Sequence, residues 1–269
     1  MAEFMSVDDK SDSFHDKITR QQCRHGEFVY FPHDMYIGRS LDVYGEYSQG
    51  EIELFDKIIA PGMTVIDVGA NIGSHTVFMA KKISPGGFLI AIEAQEILHQ
   101  LLRTNLSLNA IENVEVLHCA CGSRPGELQF PVIDYARSAN FGGMSLGEGD
   151  GGEIVRVIPL DALKLTRCDF IKIDVEGMEN DVVIGATKLL ERFRPVLYVE
   201  NDRADRKSEL MERLIAIRYK LYWHRPPLFN EDNFFQNSAN IFGTTKSHNL
   251  LCIPDEDSRN AAILADIGL

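Results

Sequence analysis

The sequence predicts an α/β protein: a doubly wound, seven-stranded, mostly parallel sheet with a small N-terminal extension. Three observations carry this. Strand-like and helix-like segments alternate from Phe55 to Asn201. The apolar run Val65-Ile66-Asp67-Val68 breaks into a glycine turn, Gly69-Ala70-Asn71-Ile72-Gly73, that opens a helix. A second apolar run, Phe88 to Ile92, ends on an acid, Glu93.

Taken in order, Met63 to Val68 reads as the first strand, because its residues are apolar almost without interruption, as a strand buried on both faces requires. Gly73 to Lys82 is then a helix, Phe88 to Glu93 the second strand, Glu96 to Leu108 a helix and Val114 to His118 the third strand. Asp169 to Asp174 and Val196 to Glu200 are the fourth and fifth strands. Ser208 to Ile217 reads as a helix, and Tyr219 to Trp223 and Asn249 to Ile253 as two more strands, the last expected antiparallel at the edge of the sheet. Between the third and fourth strands, Gly122 to Leu163 holds two short strands, Glu127 to Val132 and Glu153 to Ile158, around a stretch containing Gly142-Gly143 and Gly147 to Gly152. A connection of that length fits a lid over a site or a plain insertion. The segment Pro226 to Ser247 mixes Phe229, Phe234 and Phe235 with Asn230, Asn237 and Asn240, a composition suited to a substrate wall. Residues 1–50 read as an extension or cap, 51–255 as the main domain and 256–269 as a tail.

Composition narrows the classes of function. The formal charge of −13 opposes non-specific attraction to nucleic acid or anionic lipid, so no nucleic-acid partner is expected. No stretch approaches the roughly 18 consecutive apolar residues of a membrane span, and the polar N-terminus lacks a signal-peptide core. The five cysteines are an odd number without zinc-type spacing, which suits reduced thiols in a cytoplasmic protein.

The first turn departs from the dinucleotide fingerprint, with Asn71 and Ser74 where its second and third glycines would stand. Asp67, two positions before Gly69, would repel a pyrophosphate and attract an ammonium. S-adenosylmethionine (SAM) has no phosphate and carries a zwitterionic methionine end beside its sulfonium, so it suits such a turn. Glu93, at the end of the second strand, is placed to accept hydrogen bonds from ribose hydroxyls. Plain structural roles use the same residues: a tight turn for Gly69 and Gly73, a helix N-terminal acid for Asp67 and a solvated strand end for Glu93.

The turn joins a further set of segments: "KIDVEGME" at Lys172 to Glu179, Tyr44-Gly45-Glu46-Tyr47 with Glu51 upstream, "RPVLYVEN" at Arg194 to Asn201 and "HNLLCIP" at His248 to Pro254. With these the chain, from about Ile37 to Pro254, resembles the FkbM family of SAM-dependent methyltransferases. The resemblance implies the Rossmann-like class I methyltransferase fold, SAM as cofactor and O-methylation of a small molecule, sugar or natural product. It also implies that Asp67, Gly69, Asn71 and Gly73 hold the methionine end, that Glu93 holds the ribose, and that the loop at Cys119 to Gly122, with Ala120, borders the adenine. Tyr47 and Glu51 would fold over the cofactor, and Asp174 would border it from the fourth strand.

Ligands of an open α/β sheet lie beyond the carboxyl ends of its strands, where Asp174, Glu176 and Glu200-Asn201 fall. Asp174 is the leading candidate for a base or substrate anchor, with Glu176 next and His224 a further candidate base. Asp174 and Glu176 could equally cap the helix that begins near Gly177. His75 reads as a packed histidine and Lys172 as half of an internal ion pair. Catechol-type O-methyltransferases place metal ligands where this chain has Asp174 and Glu200-Asn201, a set suited to Mg²⁺ or Ca²⁺; the FkbM resemblance favours a reaction without a metal. Two rivals remain: methylation of protein or RNA, and a SAM-binding accessory protein without chemistry.

Overall fold

The computed structural model describes residues 18–130, 133, 135, 139–141, 152–202, 207–257 and 264. In chain order the elements are β1 (Thr19–Cys23), β2 (Gly26–Tyr30), α1 (Ile37–Tyr44), α2 (Gln49–Ile58), β3 (Thr64–Val68), α3 (Ser74–Lys82), β4 (Phe88–Glu93), α4 (Glu96–Leu108), β5 (Val114–His118) and β6 (Ala120–Cys121). There follow β7 (Gly126–Phe130), β8 (Glu153–Ile158), β9 (Phe170–Ile173), α5 (Glu179–Gly185), α6 (Thr187–Phe193), β10 (Val196–Glu200), α7 (Lys207–Ala216), β11 (Tyr219–His224) and β12 (Asn249–Pro254).

Seven strands form the main sheet in the order β11-β12-β10-β9-β3-β4-β5. The five strands from β10 to β5 pair in parallel; β10, β9, β3 and β4 are short and mostly buried, whereas β5, at the far edge, is only partly buried. Alternation along them divides the core between the two faces. Val65, Leu89, Phe170, Tyr198 and Leu251 point to one layer, shared with β2, α2, α3 and α4. Ile66, Ile90, Ile171, Leu197 and Leu250 point to the other, shared with α5, α6 and α7.

One sequence expectation about topology is corrected. β12 is antiparallel, but it lies between β10 and β11, pairing with both, and β11 is the edge strand. The reason is burial: all six residues of β12 are buried, whereas β11 buries only Tyr219 and leaves Lys220 exposed. The short strands after β5 form a separate three-stranded sheet, β6-β8-β7, packed beside the main one. Of the connection read as a lid or a plain insertion, the glycine-rich stretch falls, apart from Gly152, outside the described residues.

The N-terminal hairpin is pinned to the core by one buried amide. Asn105 of α4 accepts from Val29 N at 2.7 Å and donates to Val29 O at 3.1 Å and to Ile72 O at 2.8 Å. It thereby ties β2 to the glycine turn, and a fully buried Asn satisfied in this way holds a unique geometry.

A polarised cavity at the carboxyl ends of the strands

Gly69 starts the site. Its φ of 79° is in the left-handed region, and a Cβ there would stand 1.8 Å from the backbone oxygen of Asp174. Only glycine lets the turn after β3 lie against the end of β9. The space above these strand ends is a cavity of about 370 Å³.

Of the residues singled out from sequence, Tyr47, Gly69, Asn71, Glu93, Ala120, Asp174 and Glu176 line this cavity. Glu93 is buried and accepts from Asn71 N and Gln95 N, each at 2.8 Å. Burial raises its pKa, and the bonds from Gln95, Asn71 and Ala94 oppose that rise. Cys119 and Cys121 flank Ala120 in the wall, and all five cysteines are buried and free.

Four other candidates do not line the cavity. Gly73 is turned toward α4, where a Cβ would meet Leu102 Cδ1 at 2.6 Å. Asp67 is fully buried one layer below: it accepts from Thr76 Oγ1 at 2.7 Å and lies 3.6 Å from Lys172 Nζ. Glu51 is likewise buried, accepting from Asn249 Nδ2 at 3.1 Å. His224 pairs through Nδ1 with the Tyr198 hydroxyl at 2.8 Å, and burial lowers its pKa to about 4. Asp67, Glu51 and His224, expected from the sequence to reach the methionine end directly or through water, to cover the cofactor and to face the acceptor, thus lie behind the residues that line the cavity.

Asp67 is hidden by register. It sits opposite Lys172 across the β3–β9 pair, so both point into the layer beneath α3 rather than out of the strand ends. Lys172 is long enough to emerge into the cavity wall, where it donates to Asp174 Oδ2 at 3.0 Å. Burial alone would lower the pKa of Lys172, but Asp174, Asp67 and Glu51 together outweigh it and hold the ammonium above its usual value.

Beyond Lys172 the wall becomes acidic, with Asp174, Glu176, Glu200 and Asp202 all facing the same space. Carboxylate oxygens of Asp174, Glu176 and Glu200 all lie within 4.8 Å of one another. Burial, followed by Asp174 and Glu176, pushes the Glu200 carboxyl well above the usual range. The loop between β9 and α5 is braced by Glu179, whose Oε1 accepts from Gly177 N at 2.9 Å and Val175 N at 3.3 Å.

Sequence reasoning missed the start of α1 as wall, and in the segment from Pro226 to Ser247, read as a substrate wall, it singled out residues other than those that line the cavity. Tyr36 and Ile37 reach the cavity from the start of α1, and Leu228, Thr245, Lys246, Ser247 and His248 from the segment after β11. Within that segment the aromatics and amides build the loop instead of lining the site: Phe229 packs on Tyr44, Asn230 donates to Glu46 at 2.8 Å, and Asn237 N donates to Asn233. Phe234 and Phe235 pack on each other beside Gly45. His75, read as a packed residue, is 5% exposed and also forms wall; nothing in its local spacing signals this.

Comparison with known proteins adds the family. A model of the FkbM methyltransferase domain matches residues 67–222. No curated protein sequence matches the chain. Among solved structures, the chain is similar to methyltransferase FkbM from Methylobacillus flagellatus KT, with TM-score 0.50 and 16% identity over 75% of this chain and 50% of that one. It thus spans about half the length of that protein. Precorrin-6y C5,15-methyltransferase from Geobacter metallireducens GS-15 has TM-score 0.48 and 14% identity, covering 76% of this chain and 85% of that one. An O-methyltransferase from Bacillus cereus, in complex with SAH, has TM-score 0.46 and 16% identity, covering 77% and 80%. Among the described residues, no helix is long and apolar enough to cross a membrane.

Proposed function

The chain belongs to the FkbM methyltransferase family, and from that premise we propose that it transfers a methyl group from SAM to a hydroxyl of a small molecule or glycan. The observation that carries this reading is the sharing of one cavity by Glu93 and Asp174. The first is a ribose-type carboxylate at the end of β4, and the second is an acid at the end of β9. On this reading residues 51–255 form the catalytic domain, 1–50 an extension and 256–269 a tail.

SAM supplies the activated methyl and a good leaving group, so the protein's work is to position, to exclude water and to take a proton. Glu93 would hold the ribose and Gly69 and Asn71 the methionine end, with Ala120 and its neighbours against the adenine. Asp174 receives the acceptor proton and is oriented by Lys172, which already occupies its Oδ2. The acids at the ends of β9 and β10, Asp174, Glu176 and Asp202 among them, disfavour a polyanionic acceptor, which argues against RNA.

Calorimetry tests the cofactor: SAM binds and NAD does not, and the reverse result rejects the reading. With an acceptor in hand, Asp174→Asn lowers single-turnover methyl transfer by about 10²–10⁴-fold with little change in SAM affinity. Normal turnover in that variant removes Asp174 from the chemistry.

A second reading has one observation in its favour, the convergence of Asp174, Glu176 and Glu200 oxygens within 4.8 Å. A divalent cation there would lower the pKa of a bound hydroxyl. This set includes Glu176 in place of Asn201, which is buried and outside the cavity wall.

A further inference from the structure

The cavity has two chemically opposite sides. Acids crowd the ends of β9 and β10, whereas the start of α3 contributes Ser74 and His75, with Tyr47 adjoining them. His75 is held between Tyr47 and Phe55, each with ring centroids 5.5 Å away. Its Nε2 is sealed from solvent, has no hydrogen-bond partner among the described residues, and lies 3.8 Å from Glu51 Oε2. Burial, reinforced by Lys172, lowers the pKa of His75 well below its usual value, so the ring is neutral and offers one donor and one acceptor.

A polar ring this deeply buried in a cavity wall calls for a partner on its open side. Glu51 Oε2, at 3.8 Å, is beyond hydrogen-bond distance; burial raises the Glu51 pKa, and in its ionised form the carboxylate favours by charge the tautomer with hydrogen on Nε2. Nδ1 is then the ring's acceptor. Asp67, the acid expected to meet an ammonium, is one layer down: its Oδ2 accepts from Thr76, and its Oδ1, 3.6 Å from Lys172 Nζ, is sealed from solvent and makes no hydrogen bond among the described residues. Lys172 in turn is committed to Asp174.

We propose that His75, oriented by Glu51, is the group that accepts a hydrogen bond from the α-ammonium of the cofactor's amino-acid end. This rests on the SAM reading above. Glu51 is a positioning residue in it: its influence reaches the cavity through the imidazole.

The test compares three ligands by calorimetry on the full chain: S-adenosylhomocysteine, its analogue lacking only the amino group, and 5′-methylthioadenosine, which lacks the whole tail. In His75→Leu, affinity for S-adenosylhomocysteine should fall about 10-fold or more, while the other two change less than about twofold. An equal loss for all three would make His75 a packing residue and overturn the proposal. So would no loss at all, or a matching loss for the deaminated analogue, which would move the contact to the carboxylate.

Glu51→Leu guards against a variant that fails to fold. The amide of Glu51→Gln can either donate to Nε2 or, through its carbonyl oxygen, accept from it, whereas Glu51→Leu leaves Nε2–H without the carboxylate that favours it and should lose the preference for the amino-bearing ligand; retention of the full preference in Glu51→Leu would remove Glu51 from the account. If the unaltered protein binds none of the three ligands, the SAM reading itself fails, which is a different result from the loss of selectivity.

Discussion

Lys172→Met removes the one ammonium that separates two acids under the cavity. The Lys172 side chain is 4% exposed and that of Asp67 1%, at 3.6 Å, whereas Asp174, at 3.0 Å, is 38% exposed. Removing one partner of a buried ion pair costs about 3–5 kcal/mol, because the other charge is left without compensation. The Asp174 half is screened by solvent and adds little. Asp67 keeps only the Thr76 hydroxyl, at 2.7 Å. The expected loss is therefore at the lower end, about 3 kcal/mol, or about 1 M in urea midpoint for a slope near 3 kcal/mol/M.

The loss also depends on pH. Burial already raises the Asp67 carboxyl above its ordinary value, with Lys172 the leading opposing influence, so deleting Lys172 raises it further. A carboxyl with a raised folded pKa binds its proton more tightly when folded, so stability falls as pH climbs from the unfolded toward the folded value. The deficit of Lys172→Met relative to the unaltered protein should thus be smaller at pH 5 than at pH 8. Lys172→Met/Asp67→Asn should recover most of it and flatten the difference. Urea denaturation at the two pH values is the assay. A loss under about 1 kcal/mol at pH 8, or an equal loss at both, would refute the reasoning.

Two other outcomes are expected. Glu93→Ala should weaken S-adenosylhomocysteine binding by about 1.5–3 kcal/mol, as loss of charged hydrogen bonds to two hydroxyls predicts. Because Glu93 also holds the N–H groups of Asn71 and Gln95, Glu93→Gln should keep the turn and lose a smaller share; an unchanged affinity in Glu93→Ala would move the ribose contact elsewhere. Methyl transfer should survive chelation by EDTA, and loss restored by Mg²⁺ would instead assign Asp174, Glu176 and Glu200 as cation ligands.

The architecture is legible from local residue patterns, because the signals that specify it are local. Apolar runs such as Val65 to Val68 and Phe170 to Ile173 can be buried only as central parallel strands. The turn at Gly69 needs the positive φ that glycine tolerates, and the acids Glu93 and Asp174 fall at or just beyond strand ends, where the sheet opens. Tertiary structure decided which polar side chains meet the cavity. Asp67 and Lys172 are far apart in sequence but opposite one another in register; the short side chain stays in the layer below α3 and the long one emerges. His75 and Glu51, from neighbouring helices, meet only because α2 packs on α3. The place of β12 inside the sheet depends on burial contributed by β10 and β11 together. These facing directions are set by pairing and packing between distant segments, and local residue patterns carry no record of that partner choice.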